Sequence, residues 1–170
     1  MSMLPLVIMG VSGSGKTTVA EALAARIEGG VALDADDLHS EANTAKMHAG
    51  IPLTDLDRAP WLAAVGRAMA DETRAGRVPV MACSALKRAY RLRILAEEPG
   101  ALFVLLDVDR EELDRRVHAR QGHFMPPSLL DSQLATLEPL APDEPGFTIA
   151  ITHADTDVAE TVLARVLAAH

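Results

Sequence analysis

"GVSGSGKT" (residues 10–17) follows the apolar run "LPLVIM" (4–9) and leads into "KTTVAEALAARIEG" (16–29), where Val19, Ala22, Leu23 and Ile27 recur at helical spacing. A buried strand, a glycine loop and a helix, in that order, form the context in which G-x-x-x-x-G-K-[ST] binds phosphate. Gly10, Gly13 and Gly15 let the backbone curl so that N–H groups from Ser12 to Thr18, Ser14 among them, converge on phosphate oxygens at a helix N-terminus. Lys16 is expected to reach the β- and γ-phosphates, and the Thr17 hydroxyl to ligate Mg²⁺. The stretch therefore predicts a nucleoside triphosphate site.

The same alternation continues along the chain. "GVALD" (30–34), "VPVMAC" (78–83), "ALFVLLDV" (101–108) and "FTIAI" (147–151) are apolar strand candidates. Helical patterns lie between and after them at 59–76, 85–98, 110–122 and 157–170. Strands without polar alternation, each followed by an amphipathic helix, predict a parallel sheet of about five strands with helices on both faces. At 170 residues this is one α/β domain. "HFMPPS" (123–128) and "EPLAPDEPG" (138–146) read as loops around one helix.

A formal net charge of −8 argues against nucleic acid or an anionic membrane as the main partner, since such binding is driven by Lys and Arg. The single cysteine, Cys83, cannot form an intramolecular disulfide, and no stretch approaches the apolar length of a membrane span. A cytoplasmic protein is expected. A switch GTPase is excluded because no N-K-x-D is present and "DEPG" (143–146) sits just before the last strand. "VPVMACSALK" ends in Cys83 and Ser84, so the carboxylate that commonly closes the third strand must be replaced.

The replacement lies in "DADDLH" (34–39), where Asp34, Asp36 and Asp37 follow the second strand, at the sheet edge where ligands bind. A kinase acting on a hydroxyl needs a carboxylate to accept its proton, and Mg²⁺ needs hard oxygen ligands. Asp36 is read as the base and Asp34 as a partner for the magnesium shell. His39 could donate to a substrate hydroxyl or cap the helix that follows. Trp61, Met47, Met69 and Met81 are read as packing residues, and Asp57 as an N-terminal acid of a helix.

"GVSGSGKTT", "LDADDLH", "NTAKMHAGIPLTDLDRAPWL", "CSALKRAYR" and "RQGHFMPPSLLDSQLATLEPL" together resemble the gluconate kinases, ATP-dependent sugar-acid kinases similar to shikimate and adenylate kinases. The resemblance runs from about Leu6 to Leu140. It implies a sheet order of 2-3-1-4-5, transfer of the ATP γ-phosphate to the terminal hydroxyl of D-gluconate, and a homodimer. Carried onto this chain, it places Asp36, His39, Lys46, Arg58, Ser84, Lys87, Tyr90 and Arg91 in the substrate pocket, on helices spanning about 39–76 and 85–98. Lys87 and Arg91, four apart at a helix start, would share a face toward the sugar acid's carboxylate.

"RRVHARQGHF" (115–124) sets Arg116 and Arg120 one turn apart before a loop containing His123. The resemblance implies a lid over about 116–138 whose arginines fold onto the phosphates and whose His123 joins the acceptor residues. Such closure keeps water from the phosphoryl group. The chain departs from the family's pattern at Ala35, where glycine is usual, at Ser40, where proline is usual, and in "ITHADTDV" (151–158), which lacks a proline near the base. A kinase for another sugar acid or polyol, or an ATP-binding regulator without catalysis, remain the alternatives at this point.

Overall fold

The computed structural model describes residues 3–119, 127–152 and 157–168. In chain order the elements are β1 (Leu6–Met9), α1 (Lys16–Arg26), β2 (Gly30–Asp34), a 3₁₀ turn (Ala35–Leu38), α2 (Glu41–His48), α3 (Asp55–Arg74), β3 (Val78–Ala82), α4 (Arg88–Glu97), β4 (Leu102–Val108), α5 (Arg110–Ala119), α6 (Pro127–Thr136), β5 (Gly146–Ile151) and α7 (Val158–Ala168). The strands form one sheet in the order β2-β3-β1-β4-β5, and each neighbouring pair is parallel. The α/β sandwich and its strand order match the expectation.

Alternation along β1 builds the two cores. Leu6 and Ile8 face a cluster with Val19 and Leu23 of α1 and Val162 and Val166 of α7. Val7 and Met9 face the opposite cluster, with Trp61, Leu62, Val65 and Met69 of α3 and Tyr90 and Ile94 of α4. A side chain of this size contributes roughly 1.5–3 kcal/mol when fully buried. Gly66 sits where α3 crosses α4, and a Cβ there would lie 2.8 Å from the Ile94 carbonyl oxygen. The close crossing fixes the helices that carry the acceptor-side residues.

Two helix starts differ from the sequence reading. α3 begins at Asp55 rather than Ala59, because Thr54 and Asp57 form a reciprocal capping box: the Thr54 hydroxyl accepts from Asp57 N and the Asp57 carboxylate accepts from Thr54 N. Asp57 is thus the N-terminal acid that was expected. α4 begins at Arg88 rather than near residue 85, because Ala85 has a φ of +44° and Lys87 is extended at the N-cap. Met69 and Met81 are buried as read, whereas Met47 is 44% exposed and is no core residue. Of the span read as a lid, residues 120–126 lie outside the described part, and α6 packs Leu130 into the core.

Candidate active site

β1 delivers the phosphate loop into the ligand edge of the sheet, between the ends of β3 and β4. Gly10 is required by packing: a Cβ would lie 2.7 Å from Ser14 Oγ and 3.1 Å from the Leu106 carbonyl oxygen. Gly15, at the α1 N-cap, holds a φ of +92°, which L side chains adopt at a cost. Lys16 Nζ donates to the Val11 carbonyl at 3.0 Å, folding the side chain back over the loop.

A cavity of about 280 Å³ opens above the loop, lined by Lys16, Thr17, Asp34, Asp36, Ser84 and Gln133 among others. That is at the lower end of small-ligand pockets, roughly 300–1,000 Å³. Ser12, Gly13, Gly15 and Thr18 also line it. The Ser14 side chain does not: it is buried, with its hydroxyl beside Gly10, which leaves its backbone N–H as the group expected to meet phosphate. A second cavity of about 340 Å³, on the far side of the loop, is bounded by Ser14, Thr18, Arg116 and Val158.

Asp36 stands opposite Lys16 across the first cavity because of a tightly specified turn. Asp34 caps the 3₁₀ turn by accepting from Asp36 N at 2.9 Å. From below, Trp61 Nε1 donates to the Ala35 carbonyl at 2.6 Å, and the Trp61 ring stacks on His39 at 4.1 Å. Trp61 therefore does more than fill the core: it grips the turn on both sides of Asp36. Ala35, in place of the family's usual glycine, is buried in this cluster, and Ser40, in place of proline, caps α2 by accepting from Asn43 N. The cap role open for His39 thus falls to Ser40.

The carboxyl of Asp36 is raised above the ordinary aspartate range, first by desolvation and then by Asp34, against the opposing pull of Lys16. His39 is lowered by burial, with Asp36 and Arg58 acting on it in opposite directions. Cys83 in the cavity floor is an inert thiol, pushed up to about 12 by burial.

Thr17 Oγ1 donates to Asp34 Oδ2 at 3.4 Å, so a hydroxyl and a carboxylate oxygen lie side by side at the lip of the phosphate loop. A hydroxyl and a carboxylate oxygen are a donor pair that fits Mg²⁺, which keeps most of its shell for water and phosphate.

Beyond His39 the acceptor-side cations are held by side-chain pairs. Arg58 donates to the Tyr90 hydroxyl at 3.1 Å, Tyr90 donates to Asp55 at 2.6 Å, and Lys87 lies 3.5 Å from the same carboxylate. The two cationic groups flank the Tyr90 ring at 5.5 Å each. Asp55 was not foreseen; an acid at the first position of a helix gave only a capping signal. Lys46 is bonded to both oxygens of Asp57 at 2.9 Å, which joins α2 to α3 and engages the ammonium away from the Tyr90 group. With the capping box, this pair holds the Asp57 carboxyl at about 2.

Arg91 requires correction. It is 1% exposed, gives Nε and Nη2 to Glu144 at 2.6 and 2.9 Å, and gives Nη1 to the Ala85 carbonyl at 2.9 Å. Because Lys87 precedes the helix, the two do not share a helical face, and Arg91 is a buried structural cation. Arg116, by contrast, donates from Nη1 to the Gly13 carbonyl at 3.1 Å and from Nε to Glu112, so it lies against the phosphate loop. Arg120 and His123 lie outside the described residues.

A lysine-bearing phosphate loop that shares so small a cavity with Asp34 and Asp36, at this edge of a parallel sheet, defines a phosphotransferase acting on a small acceptor. The comparisons narrow the class. Residues 6–140 match the family described as an AAA domain. Gluconokinase of Gluconobacter oxydans (strain 621H) is 50% identical over 145 residues, covering 85% of this chain and 81% of that one. The unliganded sugar kinase of Janibacter sp. HTCC2649 superposes with a TM-score of 0.86 at 44% identity, covering 96% and 94% of the two chains. A gluconokinase from Sinorhizobium meliloti 1021 superposes with a TM-score of 0.81 at 41% identity, covering 97% and 92%. The chain belongs to the gluconokinase family of ATP-dependent kinases.

Proposed function

We propose that the protein transfers the γ-phosphate of ATP to the 6-hydroxyl of D-gluconate, giving 6-phospho-D-gluconate and ADP. The observation that carries the reading is that Lys16 and Asp36 line one cavity and lie close enough for the lysine's charge to act on the carboxyl. Asp36 takes the hydroxyl proton as the acceptor oxygen bonds to phosphorus and the β–γ bridge breaks. Its raised pKa makes its carboxylate a better proton acceptor than an ordinary aspartate. Lys16 and Arg116 supply positive charge to the transferring phosphoryl group, aided by the loop amides. Mg²⁺ would be held by Thr17 and Asp34 and would offset charge on the β- and γ-phosphates.

Arg58, Lys87 and Tyr90 form the polar group that recognises the acceptor, with His39 between them and Asp36 and Ser84 at the cavity wall. Arg58 and Lys87 share the single Asp55 carboxylate and keep an excess of positive charge, whereas Lys46 and Arg91 are left out because each has a carboxylate of its own, Asp57 and Glu144. Arg120 and His123 would complete the phosphate and acceptor contacts by family likeness. The same likeness supports a homodimer in the cytoplasm; among the described residues, no helix is long and apolar enough to cross a membrane. The −8 charge opposes nucleic acid as a partner. ADP release with aldonic acids, free sugars, polyols and shikimate tests the reading. Gluconate should be preferred by about 10⁴-fold in kcat/KM over an analogue that leaves the pocket's hydrogen-bonding groups unpaired. Equal rates with glucose, or ADP release independent of any acceptor, would refute it.

A further inference from the structure

Two polar groups from outside β1 and α1 hold the backbone of neighbouring residues in the phosphate loop. Ser12 N donates to Gln133 Oε1 at 2.7 Å, and the Gly13 carbonyl accepts from Arg116 at 3.1 Å. Gln133 also lines the cavity that contains Lys16, Asp36 and Ser84.

Helix α6, which carries Gln133, is anchored at both ends. Leu130 is buried, Leu134 and Leu137 pack on the core, and Asp131 pairs with Arg110 at 2.7 Å. Beyond the helix, Glu138 N donates to the Leu86 carbonyl at 2.7 Å, and the Glu138 carboxylate accepts from Arg88 N at 3.0 Å. The segment 130–138 thus bridges the nucleotide side, at Ser12, and the turn that presents Ser84 and Lys87. Gln133 is the one member of this strap that reaches the cavity.

We propose that Gln133 is a positioning residue for the transferred phosphoryl group, fixing the Ser12 peptide relative to Lys16 through a neutral oxygen. The inference rests on the kinase reading of the same cavity. Neutrality is the discriminating property. A carboxylate at this position would accept from Ser12 N at least as well, because charge-assisted hydrogen bonds are the stronger kind. It would also bring a negative charge into a cavity built for triphosphate, where like charges repel. A residue serving only as a peg would tolerate glutamate; one aligned with the phosphates would not.

Gln133→Glu, Gln133→Ala and Gln133→Met separate the two. ATP affinity is measured by equilibrium dialysis without acceptor, alongside kcat, both KM values and thermal stability. Gln133→Glu should keep its melting temperature within about 2 °C of wild type. It should nevertheless weaken ATP binding and lower kcat by about tenfold each, the scale of one misplaced electrostatic contact. Gln133→Ala should lower kcat by about tenfold while the gluconate KM moves less than about twofold, the pattern of an interaction made in the transition state. If the alanine variant fails to fold, Gln133→Met, which keeps the packing, takes its place. Wild-type ATP affinity and kcat in Gln133→Glu would overturn the proposal, as would kinetic losses that only follow the folded fraction. Weakened ATP binding in Gln133→Glu, with a wild-type protein inert toward gluconate, would retire the acceptor reading and leave Gln133 in place.

Discussion

At the phosphate loop, the groups that matter lie within eight consecutive residues, and the backbone does most of the binding. On the acceptor side, Asp36, Arg58, Lys87 and Tyr90 come from three separate stretches, and the last three are held by side-chain pairs. The difference decides what a change does. In the loop, a side chain either carries a function, as Lys16 does, or packs underneath, as Ser14 does. Across the cavity, a charge of the right sign at the right edge can be committed elsewhere: Lys87 stands beside Tyr90, while Arg91, four residues on, is matched to Glu144 inside the protein.

The largest expected effects fall on the two facing walls. Lys16→Ala and Asp36→Asn should each lower kcat by about 10²–10⁴-fold, the range for losing a catalytic base or a phosphate cation. Dialysis should show ATP binding damaged mainly by the first. Next, Arg91→Ala and Lys87→Ala sharpen the contrast on the acceptor side. Removing Arg91 leaves a buried Glu144 uncompensated, at about 3–5 kcal/mol, so the melting temperature should drop steeply. Lys87→Ala should leave stability nearly unchanged and raise the gluconate KM about tenfold, the size of one charge-assisted hydrogen bond. The reverse pattern would return Arg91 to the pocket.

Trp61→Phe keeps a ring against His39 and removes the donor to the Ala35 carbonyl. A turnover loss of about tenfold with ATP affinity intact is expected, as for about 1.4 kcal/mol of lost positioning. The smallest effect belongs to Thr54→Ala, which removes half of the α3 capping box for about 1 kcal/mol, or some 2–4 °C in melting temperature.

Acid should separate the regions in a fixed order. Asp36 works ionised and its pKa is raised, so activity falls as pH drops through a value above the ~3.9 of an unperturbed aspartate. Asp57 and Glu112 are both depressed to about 2, Asp57 by the Thr54 N–H and Lys46, Glu112 by Arg115 and Arg116. Their contribution to stability is complete above the unfolded carboxylate range and is lost as pH falls toward 2. Titrating kcat/KM and the circular dichroism signal in parallel should therefore show activity lost before fold.

The parallel sheet, the phosphate loop and the acidic turn at Asp36 were legible from local spacing and motif, whereas the strand order came only through the family resemblance. The start of α3 was readable in principle from "TDLD" (54–57), a capping box written with aspartate. Gln133 left a fainter trace: it is the polar residue on the Leu130, Leu134 and Leu137 face of α6, where an apolar one would pack better. Arg91 misled because two facts decided it that periodicity does not carry. One is the left-handed Ala85, which delays the helix past Lys87; the other is an acid 53 residues away.

The most direct test of the facing arrangement is a structure with gluconate and a non-hydrolysable ATP analogue. The acceptor's terminal hydroxyl should lie within hydrogen-bond reach of the Asp36 carboxylate, at about 2.6–3.2 Å, and in line with the γ-phosphorus. Gluconate bound with that hydroxyl directed away from Asp36, or outside the cavity shared with Lys16, would contradict it.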